Sequence, residues 1–170
     1  RRQRQVCIRD RVNSVNFPLK PKEGEYSRPY ECKIATEMNF IVAAYRYINR
    51  LEIYKLSDQK FQLNTIIGDA NNQYDLYRLN KDNEMILHYF DIVCGKNQIY
   101  ALYRGVKEKE LSSANSKIEV YSYDGTHLRT FDLGRSIEKI LVDESSMRIY
   151  AFDRNEEKDI VFCYAIESNT

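Results

Sequence analysis

The sequence contains no tryptophan, two histidines, three prolines and six glycines, and it has no long apolar run. A membrane-spanning helix needs about 20 consecutive apolar residues, so we predict no transmembrane segment. The charges nearly cancel, with 26 basic and 25 acidic side chains, which argues against a basic nucleic-acid binder. The 170 residues suffice for one globular domain. Fourteen tyrosines and seven phenylalanines are typical of a β-rich protein.

Cysteine is also sparse, and its spacing argues against common metal and redox centres. The four cysteines are Cys7, Cys32, Cys94 and Cys163. None of them forms a C-x-x-C pair, the usual element of a zinc or thioredoxin-like site. We therefore predict free thiols packed as small apolar residues.

Motifs that carry catalysis are missing as well. The chain has no H-E-x-x-H, G-x-S-x-G, Walker or G-x-G-x-x-G motif. His88 lies in an apolar stretch and His127 follows an Asp-Gly turn, so we interpret them as a packed and a solvated histidine. Carboxylates at 143–144, 156–157 and 159 have the sequence context of solvated hairpin tips. We predict no catalytic residue, no metal ligand and no cofactor.

An internal repeat organises the chain. Residues 41–46 (IVAAYR), 99–104 (IYALYR) and 149–154 (IYAFDR) share one pattern and start 58 and then 50 residues apart. Each is followed by a second strand-like run, at 51–54, 118–121 and 160–163. Further runs precede each unit, and the first two units end at Gly68 and Gly134. The repeat predicts four-stranded units of propeller-blade length, with an insertion at 71–85 or 105–116.

The strand composition indicates how these units pack. Runs such as residues 40–45 (FIVAAY) do not alternate and therefore need cover on both faces, which stacked propeller blades provide. An Asp-Gly pair at 124–125 predicts a hairpin. We predict an all-β fold, a β-propeller of four-stranded antiparallel blades with at least ten strands and helix confined to residues 71–85. A β-sandwich is the alternative fold, although it does not explain the repeat.

The unit count predicts about half of a six-bladed propeller. The blades cover about 30–68, 86–134 and 135–170, and the third lacks a fourth strand. Residues 1–29 are the trailing part of a preceding blade or an N-terminal extension, and we expect the chain to begin inside a longer sequence. Open faces and a free strand at 160–166 drive association. We therefore expect self-association, or a missing N-terminal half that completes the ring.

The repeats resemble the TolB-like six-bladed β-propeller proteins of Bacteroides-type bacteria. The likeness lies in 41–47 with 51–54, in 99–105 with 118–125, and in 142–152, and it extends over roughly residues 30–166. It implies the fold and a place in the cell envelope, periplasmic or lipid-anchored. Members have no established activity, so the resemblance implies a binding or scaffold module rather than a given chemistry.

Arginine recurs at the end of the repeated strand in all three units. One interpretation is that each arginine pairs with a carboxylate in the following turn. The other is that the three arginines form an arc of positive charge on one rim of the propeller, flanked by tyrosines, where an acidic or glycan partner binds. The candidate rim residues are Arg46, Arg104, Arg154, Tyr45, Tyr47 and Tyr103.

We predict a non-catalytic binding or scaffold module of the cell envelope, with a protein or glycan partner. The alternative is a metal-dependent lactonase-like hydrolase, whose site would need converging oxygen ligands. Asp69, Asn71 and Asn72 are the candidate ligands for it. A cytosolic structural fragment without activity is the third possibility.

Overall fold

The computed structural model describes residues 32–69, 85–155 and 158–166. Within these ranges the fold is all-β, as the sequence predicted. Eleven strands are found in the described part: β1 Cys32–Glu37, β2 Phe40–Tyr45, β3 Arg50–Ser57, β4 Lys60–Gly68, β5 Ile86–Cys94, β6 Gln98–Lys107, β7 Lys117–Ser122, β8 His127–Asp132, β9 Lys139–Asp143, β10 Arg148–Asn155 and β11 Lys158–Ala165.

The strands form three antiparallel meanders in chain order. The first sheet is β1-β2-β3-β4, the second is β5-β6-β7-β8, and the third is β9-β10-β11. The third sheet has no fourth strand among the described residues, so β11 is hydrogen-bonded to β10 alone there. Three successive sheets of this kind are consistent with consecutive blades of a partial propeller.

Tight turns connect the strands where the sequence places its glycines. Gly68 ends β4 and Gly134 lies two residues after β8, with φ of 85° and 64°, values that favour glycine because it lacks a Cβ. The predicted Asp-Gly hairpin joins β7 to β8. The sequence predicted little helix, confined to residues 71–85 if present, and the described part contains one short 3-10 turn elsewhere, at Glu108–Glu110. Residues 70–84 lie outside the described part.

Each sheet has a front face that is marked by the recurring alanine. Ala43 is paired with Ile34 and Glu52, and Ala101 is paired in the same way with Ile92 and Glu119. In the third sheet Ala151 is paired with Ile140 and Phe162. Because paired residues point to the same side of a sheet, each trio lies on one face. All three alanines are fully buried.

The core consists of two layers, each formed by the back face of one sheet and the front face of the next. The first layer joins the back of the first sheet to the front of the second: Val42, Ala44, Leu51 and Ile53 against Ile92, Ile99, Ala101 and Tyr121. The second layer joins the second sheet to the third in the same way: Tyr100, Leu102, Ile118 and Val120 against Ile140, Ile149 and Ala151. The inner strands of the second sheet are therefore covered on both sides, which explains their long apolar runs, whereas the edge strand β8 is largely exposed.

Candidate functional site

The candidate polar side chains lie near the end of β2 and along the paired strands β5 and β6. The β5–β6 register is irregular between Leu87 and Tyr89 and again between Tyr89 and the next paired residue, Asp91. Bulges of this kind redirect side chains and occur often beside functional sites. Here they leave Phe90 without a partner in the register and place Gly105 of β6 at a φ of 65°.

Arg46 and Arg104 converge on the ring of Phe90. The guanidinium carbon of Arg104 lies 4.2 Å from the ring centroid, and that of Arg46 lies 4.7 Å from it. Both distances are within the range of a cation–π contact. Two of the three recurring arginines thus contact one aromatic ring, and we call Arg46, Phe90 and Arg104 the arginine cluster.

Arg104 is a buried residue of this cluster. It lies inside β6, not at the strand end where the repeat placed it, and only 9% of it is exposed. Its Nε donates to Ser116 Oγ at 3.0 Å, and its Nη2 donates to the carbonyl of Ile137 at 2.6 Å. Ser116 Oγ also accepts from the backbone N–H of Ile137 at 2.8 Å. Arg104 therefore bonds to a hydroxyl and a carbonyl that join β6 to the β8–β9 connection, and not to a carboxylate of the following turn.

Charges of both signs surround Arg104. Burial lowers the pKa of Arg104, and the positive charge of Arg46 lowers it further. Glu138 and Asp153 act in the opposite direction and favour the charged form. Two cations, Arg46 and Arg104, and two anions, Glu138 and Asp153, therefore lie close enough to influence one another.

The tyrosines of the predicted rim occupy different environments. Tyr45 is 1% exposed and donates its hydroxyl to Glu52 Oε2 at 2.9 Å, so it lies in the interior and not on a rim. Tyr47 packs, half-buried, against the second core layer. Tyr103 packs against Tyr89, with ring centroids 5.2 Å apart. Arg154 belongs to β10, but its side chain is outside the described part.

His88 lies beside this group and is unlike an ordinary surface histidine. Its ring centroid is 5.9 Å from that of Tyr103, and burial lowers its pKa to about 4 despite the opposing charge of Asp69. Nδ1 is buried and has no hydrogen-bond partner among the described residues. His127, in contrast, is exposed and contacts Thr130 Oγ1 at 2.9 Å. Neither histidine is placed beside a serine or cysteine nucleophile by the contacts of the described residues.

Two glutamate–tyrosine pairs, one buried and one half-buried, were not anticipated from the sequence. Glu52 is fully buried, accepts from the hydroxyl of Tyr54 at 2.6 Å and binds Nε of Arg50 at 2.7 Å. Glu119 accepts from Tyr121 at 2.8 Å at the equivalent position of the second sheet. The repeated motif, L-E-I-Y and I-E-V-Y, was visible in the sequence. The sequence did not show on which face of the sheet the glutamate of this motif lies.

The remaining acidic groups form turns and contacts between sheets. Asp143 accepts from the backbone N–H groups of Ser145 and Ser146, and hydrogen bonds from these two serines lower its pKa to about 2. Glu144 accepts from Lys96 N at 2.8 Å and from Tyr100 OH at 3.2 Å, so it is a bridge to the second sheet and not a solvated tip. Carboxylates 156 and 157 lie outside the described residues.

Of the three candidate lactonase ligands, Asp69 lies within the described residues. Asp69 follows β4, and its backbone carbonyl accepts from Arg50 Nη1 at 3.2 Å. Asn71 and Asn72, the other two candidate ligands, lie outside the described residues. Among the residues the structure describes, no three histidine, cysteine, aspartate or glutamate side chains are grouped as metal ligands.

The comparison with known protein families agrees with the propeller-like order of the sheets. Over the described part of the chain, the structure contains no helix that is long and apolar enough to cross a membrane. No curated protein and no solved structure matches the chain. Residues 27–145, which are more than half of the chain, match the family model described as TolB-like 6-blade propeller-like. Together with the successive antiparallel sheets and their repeated alanine positions, this match shows that the chain belongs to the TolB-like six-bladed propeller family.

Proposed function

We propose that the chain is a non-catalytic binding and scaffold module of the bacterial cell envelope, with a protein or glycan partner. The observation that carries the proposal is that the polar side chains best placed for chemistry are used in hydrogen bonds within and between the sheets. Arg104, Glu52 and Glu144 are the groups best placed for chemistry, and each makes hydrogen bonds within or between sheets. Side chains held in this way stiffen a scaffold, and a rigid scaffold presents its loops and edges to a partner.

The envelope assignment is supported by the family. TolB-like propellers are generally associated with the envelope. Cell fractionation of the native bacterium tests it, with an antibody against the chain and with protease added to intact and lysed cells. We expect the protein in the envelope fraction. Recovery in the cytosol, with protease protection until lysis, would overturn the assignment.

Partner binding is tested by photocrosslinking in the same cells. We would place p-benzoylphenylalanine at Tyr47, beside the arginine cluster, and as a control at Leu128, an exposed residue of β8. A discrete adduct is expected from position 47 and not from position 128. Equal labelling at both positions, or no adduct in the native envelope, would contradict the binding role at this strand end.

The proposal that the chain is non-catalytic needs a separate measurement. The purified chain is incubated with a panel of lactones and aryl esters, with and without a chelator. We expect hydrolysis at the rate of buffer alone and an unchanged melting temperature. Turnover that the chelator abolishes would establish the hydrolase alternative.

A further inference from the structure

The first two sheets carry the same acidic motif on their front faces. It reads RLEIY at 50–54 in β3 and KIEVY at 117–121 in β7. Its glutamates, Glu52 and Glu119, each pair with the recurring alanine of their own sheet. Alternate residues of a strand share a face, so the first, third and fifth positions of the motif lie together. The two motifs differ at the first of these positions, where the first sheet has arginine and the second has lysine.

In the first sheet this motif is complete, and the two carboxylate oxygens of Glu52 have different partners. Oε2 accepts from the hydroxyl of Tyr45 at 2.9 Å and from that of Tyr54 at 2.6 Å. Oε1 accepts from Nε of Arg50 at 2.7 Å and is also paired with Nη2 of the same guanidinium. One oxygen therefore binds phenols, and the other binds a guanidinium.

In the second sheet only the phenol half of this arrangement is formed by the described residues. Oε2 of Glu119 accepts from Tyr121 at 2.8 Å and from Tyr89 at 3.4 Å. No group of a described residue hydrogen-bonds to Oε1 or forms an ion pair with Glu119. Lys117, at the position equivalent to Arg50, is exposed. Glu119 is half-buried, so a ligand can reach it from the margin of the core layer.

Tyr103 also differs from its equivalent in the first sheet. Tyr45 donates to its glutamate, but the Tyr103 hydroxyl makes no hydrogen bond to a described residue. Its ring lies back over Gly105, where a Cβ would overlap the hydroxyl oxygen. Burial, and then the negative charges of Glu119 and Asp69, raise the pKa of Tyr103. A half-buried aromatic ring thus lies in the negative field of Glu119 without being bonded to it.

We propose that Glu119 binds a guanidinium group that belongs to a ligand, in the way that Glu52 binds Arg50. A guanidinium is planar, donates several hydrogen bonds to a carboxylate and stacks on aromatic rings. Tyr103 and Tyr121 are the aromatic neighbours of this acid. The ligand class is a small guanidino compound or an arginine side chain of a polypeptide.

This site is separate from the arginine cluster. Tyr89 and Tyr121 belong to the core layer between the first and second sheets, whereas Phe90 belongs to the layer between the second and third. Two acids influence Tyr103, whereas two cations contact Phe90. A guanidinium ligand therefore goes beyond the proposed partner binding beside Tyr47, and either proposal can fail without the other.

Nuclear magnetic resonance on the chain with isotope-labelled tyrosine tests the proposal. Methylguanidinium chloride is titrated at constant ionic strength, so that general screening of charges stays the same. We expect saturable shifts of the Tyr103 and Tyr121 ring signals, assigned with Tyr→Phe variants, in the millimolar range. Methylammonium should bind at least about 10-fold more weakly because it lacks the planar fork of donors.

A blocked tripeptide, acetyl-Gly-Arg-Gly-amide, distinguishes the two sources of the guanidinium. If it binds at least as tightly as methylguanidinium, the site accepts an arginine side chain of a polypeptide. If it binds about 10-fold more weakly, the site is specific for a small guanidino compound. Both results support the guanidinium site, and they differ in the ligand that it takes.

Two variants with matched controls locate the site. Glu119→Gln should weaken binding of methylguanidinium by at least about 10-fold, since the charged acceptor is lost. Glu110→Gln, on an exposed glutamate of the 3-10 turn, should leave binding unchanged. Lys117→Arg supplies the arginine that the first sheet has at this position and should block the added cation by a similar factor. Lys117→Gln should leave the site accessible.

Circular dichroism identifies the variants that keep their β-structure, and Lys117→Arg covers the case in which Glu119→Gln fails to fold. The absence of a saturable shift in the wild-type chain would overturn the proposal. Binding that is unchanged in folded Glu119→Gln or Lys117→Arg would do the same. Equal affinity for methylammonium would overturn the assignment to a guanidinium.

Discussion

The hydroxyl of Tyr54 donates a 2.6 Å hydrogen bond to Oε2 of Glu52, two residues before it on β3. Residues i and i+2 of a strand share a face, so the pair needs no distant element to form. The same carboxylate accepts from Tyr45 of β2 and from Arg50. Its cross-strand neighbour is Ala43, whose small side chain leaves space on the face for the glutamate. The alanine of the repeat is thus coupled to an acid on the adjacent strand.

Glu52→Gln should destabilise the fold strongly. Arg50 is 4% exposed, and the substitution removes the counter-charge that it meets in the interior. Breaking one side of a buried ion pair costs about 3–5 kcal/mol. Urea denaturation measures the loss. The control, Glu119→Gln, changes a half-buried glutamate with tyrosine partners. It should lower the free energy of unfolding by clearly less than Glu52→Gln does. Equal losses for the two variants would contradict the ion-pair account.

Arg104→Lys should also destabilise the chain, although it keeps the charge. Lysine lacks the planar group that donates to Ser116 and Ile137 at once. We expect a loss of about 1–3 kcal/mol, the cost of leaving buried acceptors unsatisfied. Arg148→Lys, on an exposed arginine of β10, is the control and should be nearly neutral. Thermal unfolding compares the two, and equal melting temperatures would show that Arg104 has no structural role.

Two glycines with similar backbone angles should differ in their tolerance of alanine. A Cβ at Gly68 would overlap the carbonyl oxygen of Asn49, whereas a Cβ at Gly134 would meet no atom within 4 Å. Gly134→Ala should therefore cost about 1 kcal/mol, the conformational cost of a positive φ alone. Gly68→Ala should cost more, since the backbone must also move. Chemical denaturation of both variants tests this, and the reverse order would refute it.

His88 should make stability depend on pH. Burial lowers its pKa from the ordinary 6.5 to about 4, so between these values the unfolded chain binds a proton that the folded chain does not. The free energy of unfolding is unaffected by this group above pH 6.5 and decreases as the pH falls towards 4, by about 3 kcal/mol. We expect His88→Gln to remove this slope from urea midpoints, while His127→Gln retains it. If the pH dependence of the urea midpoint persists in His88→Gln, protonation of His88 is not its cause.

Sequence periodicity predicted the strands well because their signal is local. Runs at 41–46 and 99–104 predicted the cores of β2 and β6, and Gly68 and Gly134, where the sequence ends its first two units, have positive φ. The match to the TolB-like family supports the propeller assignment. The proposed blade boundaries and the absence of catalysis remain predictions.

The site was less accessible to the same reasoning because it depends on register. Two irregularities in the β5–β6 pairing place Arg104 against the ring of Phe90. The local sequence does not show where such irregularities occur. Likewise, Tyr45 looked like a rim residue until the fold placed it on buried Glu52. Side-chain direction at a strand end follows from pairing partners far away in the chain.

The central claim is that one back-face position is covered in the first two sheets and uncovered in the third. Cysteine placed at the three equivalent positions, as Ala44→Cys, Leu102→Cys and Phe152→Cys, tests this directly. Alkylation of each variant is followed by mass spectrometry in native buffer at high dilution. The account predicts rapid labelling of cysteine at 152 and at least about 100-fold slower labelling at 44 and 102, which requires opening of a core layer. Similar labelling rates at all three positions would contradict the stacked arrangement of the sheets.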